Sequence, residues 1–152
     1  MEFKIERKGN ENYHKYPTEN LKKAQEFANE LKKEFDTFIL SVVLFGSSAR
    51  RQETASSDID VLVVTDDTTF IITEPLIEAY RLTIEKLVPK IALQLHITSM
   101  TFTAFWEHVR GSDPVLVNIL RDGVPQLDVG FFTPLQQLLH QGRIRPSEES
   151  IW

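Results

Sequence analysis

The sequence contains no cysteine, which excludes disulfides, thiolate metal sites and a cysteine nucleophile. Long hydrophobic runs are missing as well. No apolar stretch approaches the ~20 residues needed to cross a bilayer, and the polar, charged N-terminus does not resemble a signal peptide. The cytoplasm is the expected location, with no membrane association. Positive charge is scarce: 17 Lys and Arg against 22 Asp and Glu leave a net charge of −5. Broad electrostatic binding to nucleic acid needs a basic surface, so it is not expected. Internal repeats and low-complexity tracts are absent too. A chain of 152 residues is long enough to bury a core and fits one domain.

What the sequence does have is concentrated between Gly46 and Asp60. The run 38–45 (Phe-Ile-Leu-Ser-Val-Val-Leu-Phe) is apolar, β-branched and aromatic, and reads as a buried strand. Asp58 to Val64 reads as a second strand. Side chains alternate faces in a strand, so Asp58 and Asp60 point the same way with Cα atoms roughly 6.5–7 Å apart. Two such carboxylates repel one another unless a cation lies between them, and Mg²⁺ takes one or two carboxylates together with substrate phosphates. Upstream, Gly46 allows close approach of a ligand to the backbone, and Ser47 offers a hydroxyl and an N–H where a helix is expected to begin. Helix N-termini favour phosphate. A phosphate cradle followed by a metal-binding pair is the layout of a nucleotidyl transfer site.

Around this segment the chain alternates helix and strand, which predicts an α/β unit. Residues 1–15 are polar, and Gly9 and Asn10 suggest a turn or a loose arm. Thr18 is placed to cap a helix to about Phe35 with an apolar stripe of Leu21, Ala24, Phe27, Leu31 and Phe35. Thr73 and Pro75 open a second long helix that Pro89 is expected to stop at Val88; Ile91–Ile97 reads as a third strand. Shorter helices follow from Ser99 or Thr101, from Asp113-Pro114 and from Pro134 to His140, with Val124–Val129 extended between the last two. The predicted architecture is a mixed sheet of three principal strands with flanking helices and a C-terminal helical extension. Residues 1–143 form one domain, with its core at 18–98 and the extension at 99–143. Residues 144–152 resemble the cap and first turn of a helix, expected to dock on something or to continue in a longer parent protein.

Gly46-Ser47, ten residues, then Asp58-Ile59-Asp60, with Gly46-Ser-Ser-Ala-Arg50 and Ser57-Asp-Ile-Asp-Val-Leu-Val63 around them, resembles the minimal nucleotidyltransferases of the DNA polymerase beta superfamily. The resemblance is clear from about Leu21 to Ile97 and implies the nucleotidyltransferase fold. It also implies transfer of a nucleoside monophosphate, AMP above all, from ATP or another nucleoside triphosphate to a protein or small acceptor, with release of pyrophosphate. Asp58 and Asp60 would ligate Mg²⁺ or Mn²⁺, and Gly46, Ser47 and Arg50 would hold the triphosphate. The acidic surface and short chain leave no room to clamp a duplex, so templated polymerisation is not expected.

Two positions depart from the family. Arg51 stands where glycine is usual. The third strand, which in active members carries a third carboxylate, offers only Gln94 and His96 on its polar face. Losing that carboxylate weakens a metal site and removes a proton acceptor; His96 could take the proton or act as a softer ligand. The alternative is therefore a weakly active or inactive module that binds nucleotide or a HEPN-type protein partner, as antitoxin-like relatives do. Each residue also has a plainer reading: a helix cap for Ser47, a surface charge for Arg50, a satisfied histidine for His96, core packing for Phe102, Phe105 and Trp106, and a simple turn for 66–69. Arg7 and His14 have the spacing of the HEPN ribonuclease motif, but Gly9 and Asn10 between them do not suit a helical bundle.

Overall fold

The computed structural model describes residues 2–46 and 58–145. In chain order the elements are α1 (Thr18–Phe35), β1 (Ile39–Phe45), β2 (Ile59–Thr65), α2 (Glu74–Ile91), β3 (Leu95–Thr101), α3 (Phe102–Arg110), α4 (Pro114–Asp122), β4 (Val124–Asp128) and α5 (Phe132–His140). The sheet has four strands in the order β3-β2-β1-β4. β1 is antiparallel to both β2 and β4, and β2 is parallel to β3. The fold is the mixed α/β arrangement expected, with one correction: the sheet has a fourth strand. The extended piece after Gly123 closes the free edge of β1, pairing Leu44 with Val124 and Ser41 with Asp128.

Strand alternation divides the core in two. One face of the sheet sends Val42, Leu44, Val61 and Val63 against α1, which buries Ala24, Phe27, Ala28 and Leu31. The other sends Val43, Leu62 and Val64 against Phe105, Val109, Leu116, Ile119, Leu120 and Phe132 of the C-terminal helices. Burying each of these larger side chains stabilises the fold by about 1.5–3 kcal/mol, so the apolar run of β1 serves both cores at once.

Several boundaries differ from the sequence reading. Thr18 is the first residue of α1, whose N-cap is Pro17, and α5 begins at Phe132 rather than Pro134. Pro89 does not stop α2: the helix runs on to Ile91, and Ala92 N–H closes the last turn on the Val88 carbonyl at 2.9 Å. Pro89 removes the bond to the Glu85 carbonyl and crowds it, yet only two helical residues follow it. β3 therefore starts at Leu95 rather than Ile91 and extends to Thr101, which then caps α3 by accepting from Ala104 N–H at 3.2 Å. The N-terminal stretch is not loose throughout. Asn12 is buried and donates to the carbonyls of Arg121 and Gly123 at 3.0 and 3.1 Å, beside a 3₁₀ turn at Tyr13–Lys15. That short turn, which carries His14, is not the helical bundle a HEPN motif needs.

Asp66 makes the turn after β2. Its Oδ1 accepts from Thr68 N–H, Thr68 Oγ1 and Thr69 N–H at 2.8–3.0 Å. Burial alone would raise its pKa, but bonds from Thr69 and Thr68 outweigh this and hold the carboxyl below its ordinary value. A depressed folded pKa contributes stability that is present above about pH 3.9 and lost as pH falls through the folded value. Asp66→Ala should accordingly cost about 1–3 kcal/mol at neutral pH, and the gap from wild type should narrow in urea melts below pH 3.

Candidate active site

The register of the sheet fixes which side chains meet at its β2 start. Phe45 pairs with Asp60, and Asp60 pairs with His96. Asp60 and His96 thus lie abreast on the face that carries α3, α4 and α5. His96 Nδ1 is 3.2 Å from Asp60 Oδ1, with the imidazole 70% and the carboxylate 20% exposed. Asp58 immediately precedes β2 and is exposed. Gln94 precedes β3 rather than lying within it, and its carbonyl accepts Ile59 N–H at 2.8 Å. Among the polar pair expected on the third strand, only His96 lies on the strand itself.

Gly46 follows β1 with φ +86°. A Cβ at this position would overlap Asp60 Oδ2 and come within 3.0 Å of Asp60 Cβ and Cγ. Only glycine combines that backbone angle with that clearance. The turn after β1 is thereby held directly against the second aspartate. Ser47, Arg50 and Arg51 lie outside the described residues.

The same end of the sheet is walled by the N-terminal turn and by the end of α4. Tyr16 is buried, and its hydroxyl donates to the Asp122 carbonyl at 2.6 Å. Burial first, then the charges of Asp122 and Asp60, push the phenol well above its ordinary pKa, so it stays a neutral donor. Lys15 Nζ reaches Asp122 Oδ1 at 3.2 Å and Arg121 reaches Oδ2 at 3.0 Å. These two cations and their hydrogen bonds overcome the effect of burial and hold the Asp122 carboxyl below its usual range. Nothing in the periodicity of residues 10–16 announces this role; a lone Tyr and Asn in a polar stretch give no pattern to read.

Acids elsewhere are committed to turns. Asp67 accepts from Thr103 N–H at the start of α3. Asp128 takes four backbone N–H groups, from Gly130, Phe131, Phe132 and Thr133, at 3.0–3.2 Å. Asp66 lies six residues beyond Asp60 along β2, some ~20 Å away by strand rise. None of them is placed beside the aspartate pair. Among the described residues no group of three or more His, Asp or Glu is arranged to hold a metal ion. Two carboxylates without a cage suit an ion such as Mg²⁺ that completes its shell with water and substrate phosphates.

The sequence matches the family model for the nucleotidyltransferase domain over residues 24–123, about two thirds of the chain. No curated protein matches it. Similar solved structures include a toxin–antitoxin with AMP-PNP (13% identity, covering 78% of this chain and 88% of that one, TM-score 0.43). The toxin–antitoxin MntA–HepT is 15% identical, covering 79% and 86%, with a TM-score of 0.41. A tri-AMPylated Shewanella oneidensis HEPN toxin in complex with its MNT antitoxin is also similar: 15% identity, 82% and 92% covered, TM-score 0.43. The family match begins within α1 and ends at the glycine after α4, so it takes in Gly46, Asp58, Asp60 and His96. The chain belongs to the nucleotidyltransferase domain family.

Proposed function

We propose that this protein transfers a nucleoside monophosphate, most readily AMP, from a nucleoside triphosphate to a hydroxyl on a protein or small acceptor. The acceptor oxygen bonds to the α-phosphorus, the bond from that phosphorus to the bridging oxygen breaks, and pyrophosphate leaves with the electron pair. The observation that carries this reading is the contact between Gly46 and Asp60: the turn that would bear the triphosphate abuts the carboxylate that would bear its cation. Asp58 and Asp60 would hold Mg²⁺ or Mn²⁺, which when bound neutralises charge on the phosphate oxygens. Gly46, with Ser47 and Arg50, would anchor the β- and γ-phosphates. Such transfer asks the protein chiefly for positioning and charge stabilisation, which two aspartates and a backbone turn can provide.

The test is transfer of label from α-labelled ATP with Mg²⁺ or Mn²⁺ to candidate acceptors, a HEPN-type protein being the first to try on the strength of the sequence resemblance. Asp58→Asn with Asp60→Asn should abolish transfer, a loss of at least about 10³-fold by analogy with removal of other essential electrostatic groups. Equal labelling by wild type and double variant would overturn the proposal.

His96 is the described side chain best placed to receive the acceptor's proton, being oriented by Asp60 at 3.2 Å. His96→Ala should lower transfer about 10²-fold, while His96→Asp, which restores a carboxylate at this position, should retain it. The specific observation favouring the second reading, a binding module for nucleotide or a HEPN-type partner, is the absence of any acidic side chain at Gln94 and His96. On that reading wild type shows no transfer, and copurification with the partner survives the aspartate double variant and depends on residues 144–152.

A further inference from the structure

The row of residues across the sheet that contains the candidate site continues past it. His96, Asp60 and Phe45 stand abreast on β3, β2 and β1. β1 and β4 pair antiparallel as far as Leu44 with Val124, so one step further sets Phe45 beside Gly123, and the next sets Gly46 beside Asp122. Gly123 does lie against β1, since a Cβ there would come within 2.7 Å of Val43 Cγ1. Neighbouring strands are about 4.8 Å apart, so residue 123 is roughly 10 Å from Asp60, with the end of β1 and its glycine turn between them.

This far wall carries cations. Lys15 Nζ reaches Asp122 Oδ1 at 3.2 Å. Arg121 grips the same carboxylate with two nitrogens, Nε to Oδ1 at 3.3 Å and Nη2 to Oδ2 at 3.0 Å. The cluster therefore has a positive charge in excess, in a chain whose net charge is −5. Lys15 is the partner that can be spared: when it swings away, Asp122 keeps both bonds from Arg121. Its backbone is held meanwhile. Lys15 N–H bonds the Asn12 carbonyl at 3.0 Å, the Asn12 amide is fixed to the carbonyls of Arg121 and Gly123, and the Tyr16 hydroxyl to that of Asp122. After burial, the Tyr16 phenol feels the charges of both Asp122 and Asp60, so this segment stands within electrostatic reach of both carboxylates.

We infer that Lys15 binds the outer phosphates of the nucleoside triphosphate, and then the departing pyrophosphate, from the side of the Gly46 turn opposite Asp60. The inference rests on the transfer reading given above. With the α-phosphorus at Asp60 and the tail running over the Gly46 turn, the β- and γ-phosphates arrive beside residues 122 and 123. An ammonium on a flexible four-carbon stem can leave a carboxylate for a phosphate without backbone movement. Ligands with outer phosphates thereby gain a charge-assisted hydrogen bond, and a monophosphate held at Asp60 does not reach it.

Calorimetric titration of the full chain, in Mg²⁺, with ATP, inorganic pyrophosphate and AMP in turn tests this. Lys15→Met should weaken ATP and pyrophosphate binding about 10- to 100-fold, the worth of one hydrogen bond between charged groups, and leave AMP binding unchanged. Lys15→Arg should restore most of the loss. Asp122→Asn, which frees Lys15 from its carboxylate, should tighten pyrophosphate binding, whereas a salt bridge with only a structural role would weaken it in both variants. Equal ATP affinity in wild type and Lys15→Met overturns the inference and leaves the transfer reading, judged by label transfer, intact. A loss that falls equally on AMP overturns it too, as does a wild type that binds neither ATP nor pyrophosphate. Lys15-dependent ATP binding in a wild type that transfers no label supports Lys15 as the phosphate ligand and overturns the transfer reading alone.

Discussion

Gly46→Ala should weaken the fold and suppress nucleotidyl transfer more than its single methyl group would suggest. Two independent penalties act. The residue sits at φ +86°, a conformation that costs a non-glycine residue roughly 1–2 kcal/mol. The new Cβ also falls on the Asp60 carboxylate, so the aspartate must swing away or the turn must lift. Either response moves the turn proposed to bear phosphate relative to the carboxylate, and misplacement of about 1 Å in a transfer site can cost 10²-fold in rate. The expected result is a stability loss of about 2–3 kcal/mol in urea melts with a drop in transfer of about 10²-fold or more. The two penalties separate in a double-variant cycle. Asp60→Ala in the Gly46→Ala background removes the contacts with the carboxylate and leaves the backbone cost and the 3.0 Å approach to the residue-60 Cβ, so a coupling energy of about 0.5–3 kcal/mol should appear. Strict additivity of the two substitutions would show that Gly46 and Asp60 are not in contact.

How much of this could be read in advance varies by residue. The strands beside the site were legible because β1 and β2 are buried on both faces: each is dominated by apolar residues, broken in β1 only by Ser41, with the acids at 58 and 60 confined to the start of β2. The fourth strand was visible as an extended segment, but its pairing with β1 depends on a long-range contact that a local pattern does not encode. β3 was misplaced by four residues at its start because Ile91-Ala92-Leu93 is as apolar as a strand, and Pro89 looks like a stop although α2 continues two residues past it. The contact between His96 and Asp60 follows from parallel register, which neither strand specifies alone. Tyr16 and Asn12 were unreadable for another reason. Their partners are backbone carbonyls of residues 121–123, and a carbonyl leaves no trace in residue type.

Those carbonyls converge on the second large effect. Gly123 joins α4 to β4 with φ −71°, so an alanine there meets no backbone penalty and any loss must be steric. A Cβ would lie 2.5 Å from the Ile119 carbonyl oxygen, 2.7 Å from Val43 Cγ1 and 3.3 Å from Phe132 Cζ. Val43 and Phe132 are fully buried, and the Ile119 oxygen already accepts Gly123 N–H at 2.7 Å, so none of the three can step aside freely. Relief must come from moving the Gly123 backbone, whose carbonyl accepts Gln136 Nε2 at 2.8 Å and Asn12 Nδ2 at 3.1 Å. Overpacking of this kind costs about 1–3 kcal/mol, and each hydrogen bond lost with it about 0.5–1.5 kcal/mol more. Gly123→Ala should lose about 2–5 kcal/mol, a large share of the ~5–15 kcal/mol that holds a domain of this size, and Gly123→Val should fail to fold. Because Asn12 and Gln136 act through the same carbonyl, Gly123→Ala combined with Gln136→Ala should cost less than the sum of the two. Val43→Ala, which removes one of the three obstacles, should recover part of the loss in the Gly123→Ala background. A Gly123→Ala protein whose urea midpoint matches wild type would show that α4, β1 and α5 do not close on this glycine, and that the wall of the site formed by Tyr16 and Asp122 is not anchored there.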